Sequence, residues 1–311
     1  MRALRFAIVL SISALVAAPA GASAEARPSC GDLRATVVGT DDDDVLEGTK
    51  RSDVIVGLGG DDVITGLGSG DTLCGNDGND VLRGNAKADF FDGGRGDDRL
   101  VAGSRVHQGR CDDTGGGAAA PSACAFLWDV MLGGPGADVV VGSPSPDSID
   151  GQEGDDVVRA RKGGDSLEVD GGDDVVHAGR GNDSISYNYS PRAVRVRLDR
   201  GRATGWGTDL LSSVENVDGS RHSDVLIGDD GDNSLVASEE GGGDHGDDLI
   251  RGRGGADYMF GYAGADEIHG GRRRDYINGD YTRDRRGPDR LFGGPGVDKC
   301  FYGERYKGCE K

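Results

Sequence analysis

A nine-residue period constrains this chain more than any other feature. From Gly39 to Val101 the sequence divides without remainder into seven units: GTDDDDVLE, GTKRSDVIV, GLGGDDVIT, GLGSGDTLC, GNDGNDVLR, GNAKADFFD and GGRGDDRLV. Each opens on glycine (Gly39, Gly48, Gly57, Gly66, Gly75, Gly84, Gly93). Each has aspartate sixth (Asp44, Asp53, Asp62, Asp71, Asp80, Asp89, Asp98) and a large apolar residue eighth (Leu46, Ile55, Ile64, Leu73, Leu82, Phe91, Leu100). Three columns held in phase over seven turns mark a solenoid, and a period of nine matches a parallel β-helix.

The columns dictate the geometry of one unit. Glycine near the start permits positive φ and leaves carbonyls unshielded, so the first six residues form a tight turn that presents backbone oxygen. Residues seven to nine form a short strand whose middle side chain points inward. Two units close one flattened coil, and coils stack about 4.8 Å apart. Aspartates two units apart then face each other, and like charges at that spacing repel unless a cation lies between them. A hard ion that takes six to eight carbonyl and carboxylate oxygens fits, which favours calcium over magnesium.

The period returns twice. Residues 133–186 give six units with Asp138, Asp147, Asp156, Asp165, Asp174 and Asp183 sixth. Residues 219–301 resume it with short insertions and carry Asp224, Asp248, Asp257, Asp266, Asp275, Asp289 and Asp298, with Asn233 at one turn. Twenty of the 21 clear units keep the aspartate. Pairing them only within unbroken blocks sets an upper bound of about 11 calcium ions.

GGRGDDRLV and GLGGDDVIT closely match GGxGxDxUx, and the array resembles the hemolysin-type calcium-binding repeats, also called RTX or repeats-in-toxin. The resemblance implies an all-β fold: a parallel β-roll, a right-handed β-helix of nine-residue repeats, with two repeats per coil and calcium between coils. It further implies that the sixth-place aspartates named above bind metal together with turn carbonyls, among them those of Gly57, Gly59, Gly60, Gly75, Gly78, Gly133, Gly136, Gly151 and Gly154. Arg51 and Lys87 replace the fourth-place glycine and mark departures from the pattern. The toxins also carry a pore-forming or enzymatic part, whereas here the likeness covers nearly all of the chain after its leader.

Residues 1–24 read as a secretory signal peptide: Arg2 and Arg5, an apolar run from Phe6 to Ala18, then Ala22-Ser23-Ala24. The run is short for a membrane span, so the expectation is a secreted chain without one. The net charge of −20 argues against nucleic acid or an anionic membrane as partner. With 57 glycines an acidic linker is the competing reading, and it describes the metal-free state best, folding being coupled to calcium.

The remaining segments are a cap at 25–38, an insertion with a degenerate unit at 102–132, an interrupting β segment at 187–218 and a C-terminal cap at 302–311. In the interruption Val194, Val196 and Leu198 alternate with arginine as in a half-buried strand. Six cysteines in an exported chain favour disulfides. Cys300 and Cys309 are near neighbours, Cys111 and Cys124 flank a glycine loop, and Cys30–Cys74 follows by elimination.

None of His107, His177, His222, His245 and His269 sits in HExxH, and no nucleophile elbow or phosphate loop occurs. The expectation is a non-enzymatic, calcium-dependent structural or surface protein, adhesive in one form, with calcium and a cell-surface or extracellular polymer as partners. Trp206 and the arginines at 272–274, 283, 285, 286 and 290 are the candidate polymer contacts. The alternatives are an extracellular enzyme or toxin-related protein, polysaccharide- or protein-acting, with its site carried on the roll, and an ion buffer with graded sites.

Overall fold

A computed structural model describes residues 28–103, 128–237, 246–279, 288–303 and 305–310. The expected leader, His107, the Cys111–Cys124 bridge, His245 and the arginines at 283, 285 and 286 lie outside these residues.

Each unit folds as its columns require. Its last three residues form a strand, as in Val63–Thr65, Val81–Arg83 and Arg99–Val101, and the intervening units place Val54–Gly59, Thr72–Asp77 and Phe90–Arg95 on the opposite side. The two sides are sheets of 15 and 13 strands among the described residues. Neighbouring strands are parallel and in register at 18 residues, with Ile64 opposite Leu82 and Leu73 opposite Phe91. The eighth-place side chains fill the space between the sheets as one continuous core: from Ile55 through Phe91, Met131, Ile185 and Ile250 to Leu291 they are fully enclosed. A period of two within each strand turns the flanking side chains outward.

The breaks in the period do not break the stack. Phe91 lies opposite Met131 and Leu100 opposite Val140, so the chain leaves after residue 103 and returns to the next strand position. Leu226 opposite Ile250 and Ile268 opposite Leu291 carry the register across the later insertions. The expected bound of about 11 ions assumed that each block pairs only within itself. The stack instead pairs aspartates across the first break, so block length does not limit it.

Residues 187–218 behave differently. Arg195–Arg197, Arg202–Thr204 and Thr208–Ser212 form an antiparallel meander within the longer sheet. Val194 and Val196 point inward as their alternation requires, but Leu198 leaves the strand to open a short 3-10 turn closed by Gly201 at φ 58°. The shorter sheet passes straight from Ser184–Ser186 to Asn216–Asp218. The meander is what gives the longer sheet its two extra strands.

At the N-terminus Ser29–Cys30 and Leu33–Arg34 pair as a hairpin. Cys30 packs with Val54, Val56 and Cys74, outward residues of the shorter sheet, and is bonded to Cys74 with 5.9 Å between Cα atoms. Val37–Val38 then supplies that sheet's first strand. At the other end Cys300 joins Cys309, 5.7 Å apart at Cα, beside the last strand of the longer sheet, Arg305–Lys307.

Candidate metal-binding turns

The expected site residues fall into two ladders, one along each edge of the roll. In the first, the backbone N–H of Asp44 donates to Oδ1 of Asp62 (2.8 Å), Asp62 to Asp80 (2.8 Å), Asp80 to Asp98 (2.7 Å), Asp98 to Asp138 (2.7 Å) and Asp138 to Asp156 (2.8 Å). The second runs Asp53, Asp71, Asp89, Asp129, with Asp147, Asp165 and Asp183 further along. Beyond residue 219 the ladders resume through Asp224, Asp248, Asp266 and Asp289, and through Asn233, Asp257, Asp275 and Asp298. Nearly all of these side chains are buried.

In most of them one carboxylate oxygen is thus satisfied by an N–H of the coil before it, as at Asp62, Asp71, Asp80, Asp89, Asp98 and Asp138. The other divides the turns into two kinds. In the open turns it is buried without any hydrogen-bond partner, as at Oδ2 of Asp62, Asp71, Asp80, Asp89, Asp98, Asp138, Asp165, Asp183, Asp257, Asp275 and Asp298. A buried charged oxygen without a partner costs several kcal/mol by order of magnitude, so these turns are incomplete as protein alone. Their second residue takes positive φ, at 89° for Leu58, 79° for Asn76, 85° for Arg161 and 78° for Arg253. For non-glycine residues that conformation costs about 1–2 kcal/mol.

The closed turns satisfy the same oxygen from within. Thr49 donates its N–H (2.6 Å) and its hydroxyl (2.8 Å) to Oδ2 of Asp53, and that hydroxyl accepts the N–H of Arg51 (3.0 Å). Thr40 does the same for Asp44 at 2.6 and 2.8 Å. Ser143 gives its N–H to Oδ2 of Asp147 (2.6 Å) and its hydroxyl to Oδ1 (3.0 Å). Ser220 binds Asp224 in that way at 2.5 and 2.8 Å, and the Asp229 N–H binds Asn233 at 2.8 Å. None of these second-place residues has positive φ.

The glycines explain the close fit. A Cβ at Gly57 or Gly75 would collide with Oδ2 of Asp62 or Asp80. At Gly78, where φ is 135°, it would strike the Gly60 carbonyl, and at Gly154 the Gly136 carbonyl. First-place carbonyls stack likewise, Gly75 towards Gly57 and Gly151 towards Gly133. Gly59 has ordinary clearance, so sterics do not demand glycine there. Lys87, in the fourth place, takes φ 72° and its turn stays open, whereas the turn with Arg51 is closed.

Burial, followed in effect by the neighbouring carboxylates, drives the aspartates away from ionisation. It pushes Asp89 and Asp248 up to about 9, Asp156 to about 8, Asp71, Asp98 and Asp257 to about 7, and Asp80 and Asp138 to about 6, against the pull of the N–H bond each accepts. Among the described residues no three His, Cys, Asp or Glu side chains converge on one point, so a cation here draws on backbone oxygen too. The orphaned oxygens, the glycine cradle and an all-oxygen donor set fit a hard cation such as calcium.

Two further ladder members lie in the interrupting segment, where no ligand was expected. Asp209 accepts the Asp174 N–H (3.4 Å) and the Tyr187 hydroxyl (2.9 Å), and Glu215 accepts the Asp183 N–H (2.9 Å). Each stands two residues before an inward apolar residue, Leu211 or Val217, which is the spacing that would have found them. Trp206 lies over Gly171, half-buried. Arg290 binds Glu267 at 2.7 Å, and Arg272, Arg273 and Arg274 are exposed. His177 bonds Ser212 and His269 bonds Glu267.

Stacked parallel coils with carboxylate ladders along both edges define a β-roll built on metal-binding turns. The family model of the RTX calcium-binding nonapeptide repeat matches residues 38–73, 75–104, 132–167, 150–185, 215–239, 242–277 and 260–285. These matches cover more than half of the chain, which belongs to this family and is a calcium-binding repeat protein. A comparison with curated proteins finds no match.

Proposed function

We propose that this is a secreted, non-catalytic protein whose open turns hold calcium between coils, and whose loaded roll serves as a rigid surface or adhesive element. The observation that carries the reading is the row of buried, unpartnered aspartate oxygens along both edges. Asp62, Asp71, Asp80, Asp89, Asp98, Asp138, Asp165, Asp183, Asp257, Asp275 and Asp298 would supply carboxylate oxygen, and first- and fourth-place carbonyls such as those of Gly57, Gly60, Gly75, Gly78, Gly133, Gly136, Gly151 and Gly154 would complete the shell. A bound cation offsets the repulsion within each ladder, and the protein's part is to hold the oxygens and exclude water.

Export is supported by the leader-like residues 1–24, and no helix among the described residues is long and apolar enough to cross a membrane. The non-catalytic role is supported by the aspartate pattern, since the repeat geometry accounts for each ladder carboxylate without invoking a reaction. Titrating the mature, disulfide-bonded chain with calcium and with magnesium under far-ultraviolet circular dichroism tests the reading. It expects a coil-to-β change driven by calcium at millimolar levels or below, about 10⁻⁴–10⁻³ M being usual for extracellular modules. A spectrum already β-rich in chelator and indifferent to calcium would overturn it.

A further inference from the structure

Where the closed turns occur is informative. The roll begins on two of them, residues 39–44 in the first ladder and 48–53 in the second. After the meander it begins again on two, residues 219–224 in the first ladder and 228–233 in the second. Among the described residues, only the closed turn at 142–147 stands inside a run. An ion held between coils needs oxygens from both, and the first turn of a stack has no coil before it. Its carboxylate has to be satisfied from within or remain a buried orphan.

The same logic operates on the near side of the meander. Asp209 ends the first ladder with its Oδ2 held by the buried Tyr187 hydroxyl, and the N–H that meets Asp224 comes from Val194 and not from another ladder aspartate. In the second ladder the aspartates give way to Glu215, whose carbonyl accepts from the side-chain amide of the uncharged Asn233 (3.1 Å). Both rows of mutually repelling carboxylates are therefore interrupted at one level of the roll, and protein donors fill the gap in each.

We propose that the closed turns exclude calcium, and that the ions load onto two separate stacks divided by a metal-free seam at residues 209–233. To enter a closed turn a cation must displace an N–H and, at four of the five, a hydroxyl already directed at the same carboxylate. Asp44, Asp53, Asp147 and Asp224 are then structural caps, although their column is that of the ligands. The seam turns the interruption of the repeat from a defect into a boundary between two calcium-dependent units.

The proposal rests on the calcium reading above, and the experiment separates the two. Bound calcium at saturation is counted by equilibrium dialysis on the full mature chain and on Asp53→Asn, Asp224→Asn, Asp80→Asn and Asp275→Asn, each first checked for β structure in calcium. Asparagine keeps the acceptor oxygen and removes the charge. The count should hold for Asp53→Asn and Asp224→Asn and fall by about one or more for the other two, since a hard ion depends on its charged ligands. Hydrogen exchange across a calcium titration reads the boundary. Asp257→Asn with Asp275→Asn should raise the calcium needed to protect residues 246–301 by about ten-fold, within the usual range of site coupling, and that for residues 54–101 by less than about two-fold. Loss of an ion from Asp224→Asn, or equal shifts on both sides, overturns the proposal. Absence of calcium uptake by the unaltered chain overturns the calcium reading itself.

Discussion

At the scale of the residue, one side chain decides what a turn can do. Glycine, leucine, asparagine or arginine in the second place takes positive φ and leaves the sixth-place carboxylate exposed to a ligand, whereas serine or threonine folds back and occupies it. At four of the five closed turns this distinction was present in the sequence as Gly-Ser or Gly-Thr but does not follow from the period, because those turns keep the same glycine and aspartate as the open ones. The aspartate column itself was legible throughout the regular units. Asp80 allows the charge to be tested apart from the shape. Its Oδ1 accepts the Asp62 N–H, which asparagine can also satisfy, and its Oδ2 is orphaned and buried. Asp80→Asn should lower the melting temperature in saturating calcium, where it removes a ligand, and should carry the β signal in chelator to higher pH, where it removes an uncompensated buried charge worth about 1–3 kcal/mol. Thermal melts in calcium and a pH titration in chelator check this, and a loss of β structure in both would contradict it. For the core column, Phe91→Ala should cost about 3–5 kcal/mol in calcium-loaded chemical unfolding, because the ring is fully enclosed between the sheets.

At the scale of the element, what the repeat encodes was legible and what hangs on it was not. The strands follow from the apolar eighth place alone. The hairpin at 29–34 carries no period, and its place on the outer face of the shorter sheet depends on outward residues that happen to be apolar, Val54, Val56 and Cys74. The meander was legible as a strand from Val194 and Val196, but its antiparallel partners contain only short apolar alternation and depend on the sheet already present. The Cys30–Cys74 bridge closes 44 residues and fastens the hairpin over this patch. Chain-entropy arguments put such a bridge at about 4 kcal/mol. Cys30→Ser combined with Cys74→Ser should therefore lower unfolding stability in calcium by about 2–4 kcal/mol, and hydrogen exchange should rise first at residues 54–58. Faster exchange spread evenly over both stacks would show that the hairpin does not act locally.

At the scale of the whole molecule, the ladders link folding to protons as well as to calcium, and the sign follows from burial. In the unfolded chain an aspartate ionises near its ordinary value of 3.8, whereas in the metal-free roll burial and neighbouring carboxylates hold Asp89 and Asp248 at about 9, Asp156 at about 8 and Asp71 and Asp98 at about 7. Below the unfolded value both states carry the proton and nothing is lost. As pH rises through the range between the two values the unfolded chain gives up protons that the roll retains, so stability falls, at about 1.4 kcal/mol for each pH unit and each such group. The metal-free roll should consequently be most stable near pH 4 and lose its β signal as pH climbs through 6–9, the reverse of ordinary acid unfolding. Calcium competes with those same protons, so its apparent affinity should increase over that interval and its binding should release protons. Circular dichroism in chelator from pH 4 to 9, with calorimetric titrations in buffers of different ionisation enthalpy, measures both effects. A metal-free chain that is disordered at every pH would mean that protonation cannot stand in for calcium in the ladders, and an affinity independent of pH would mean that the bound ions do not displace these protons.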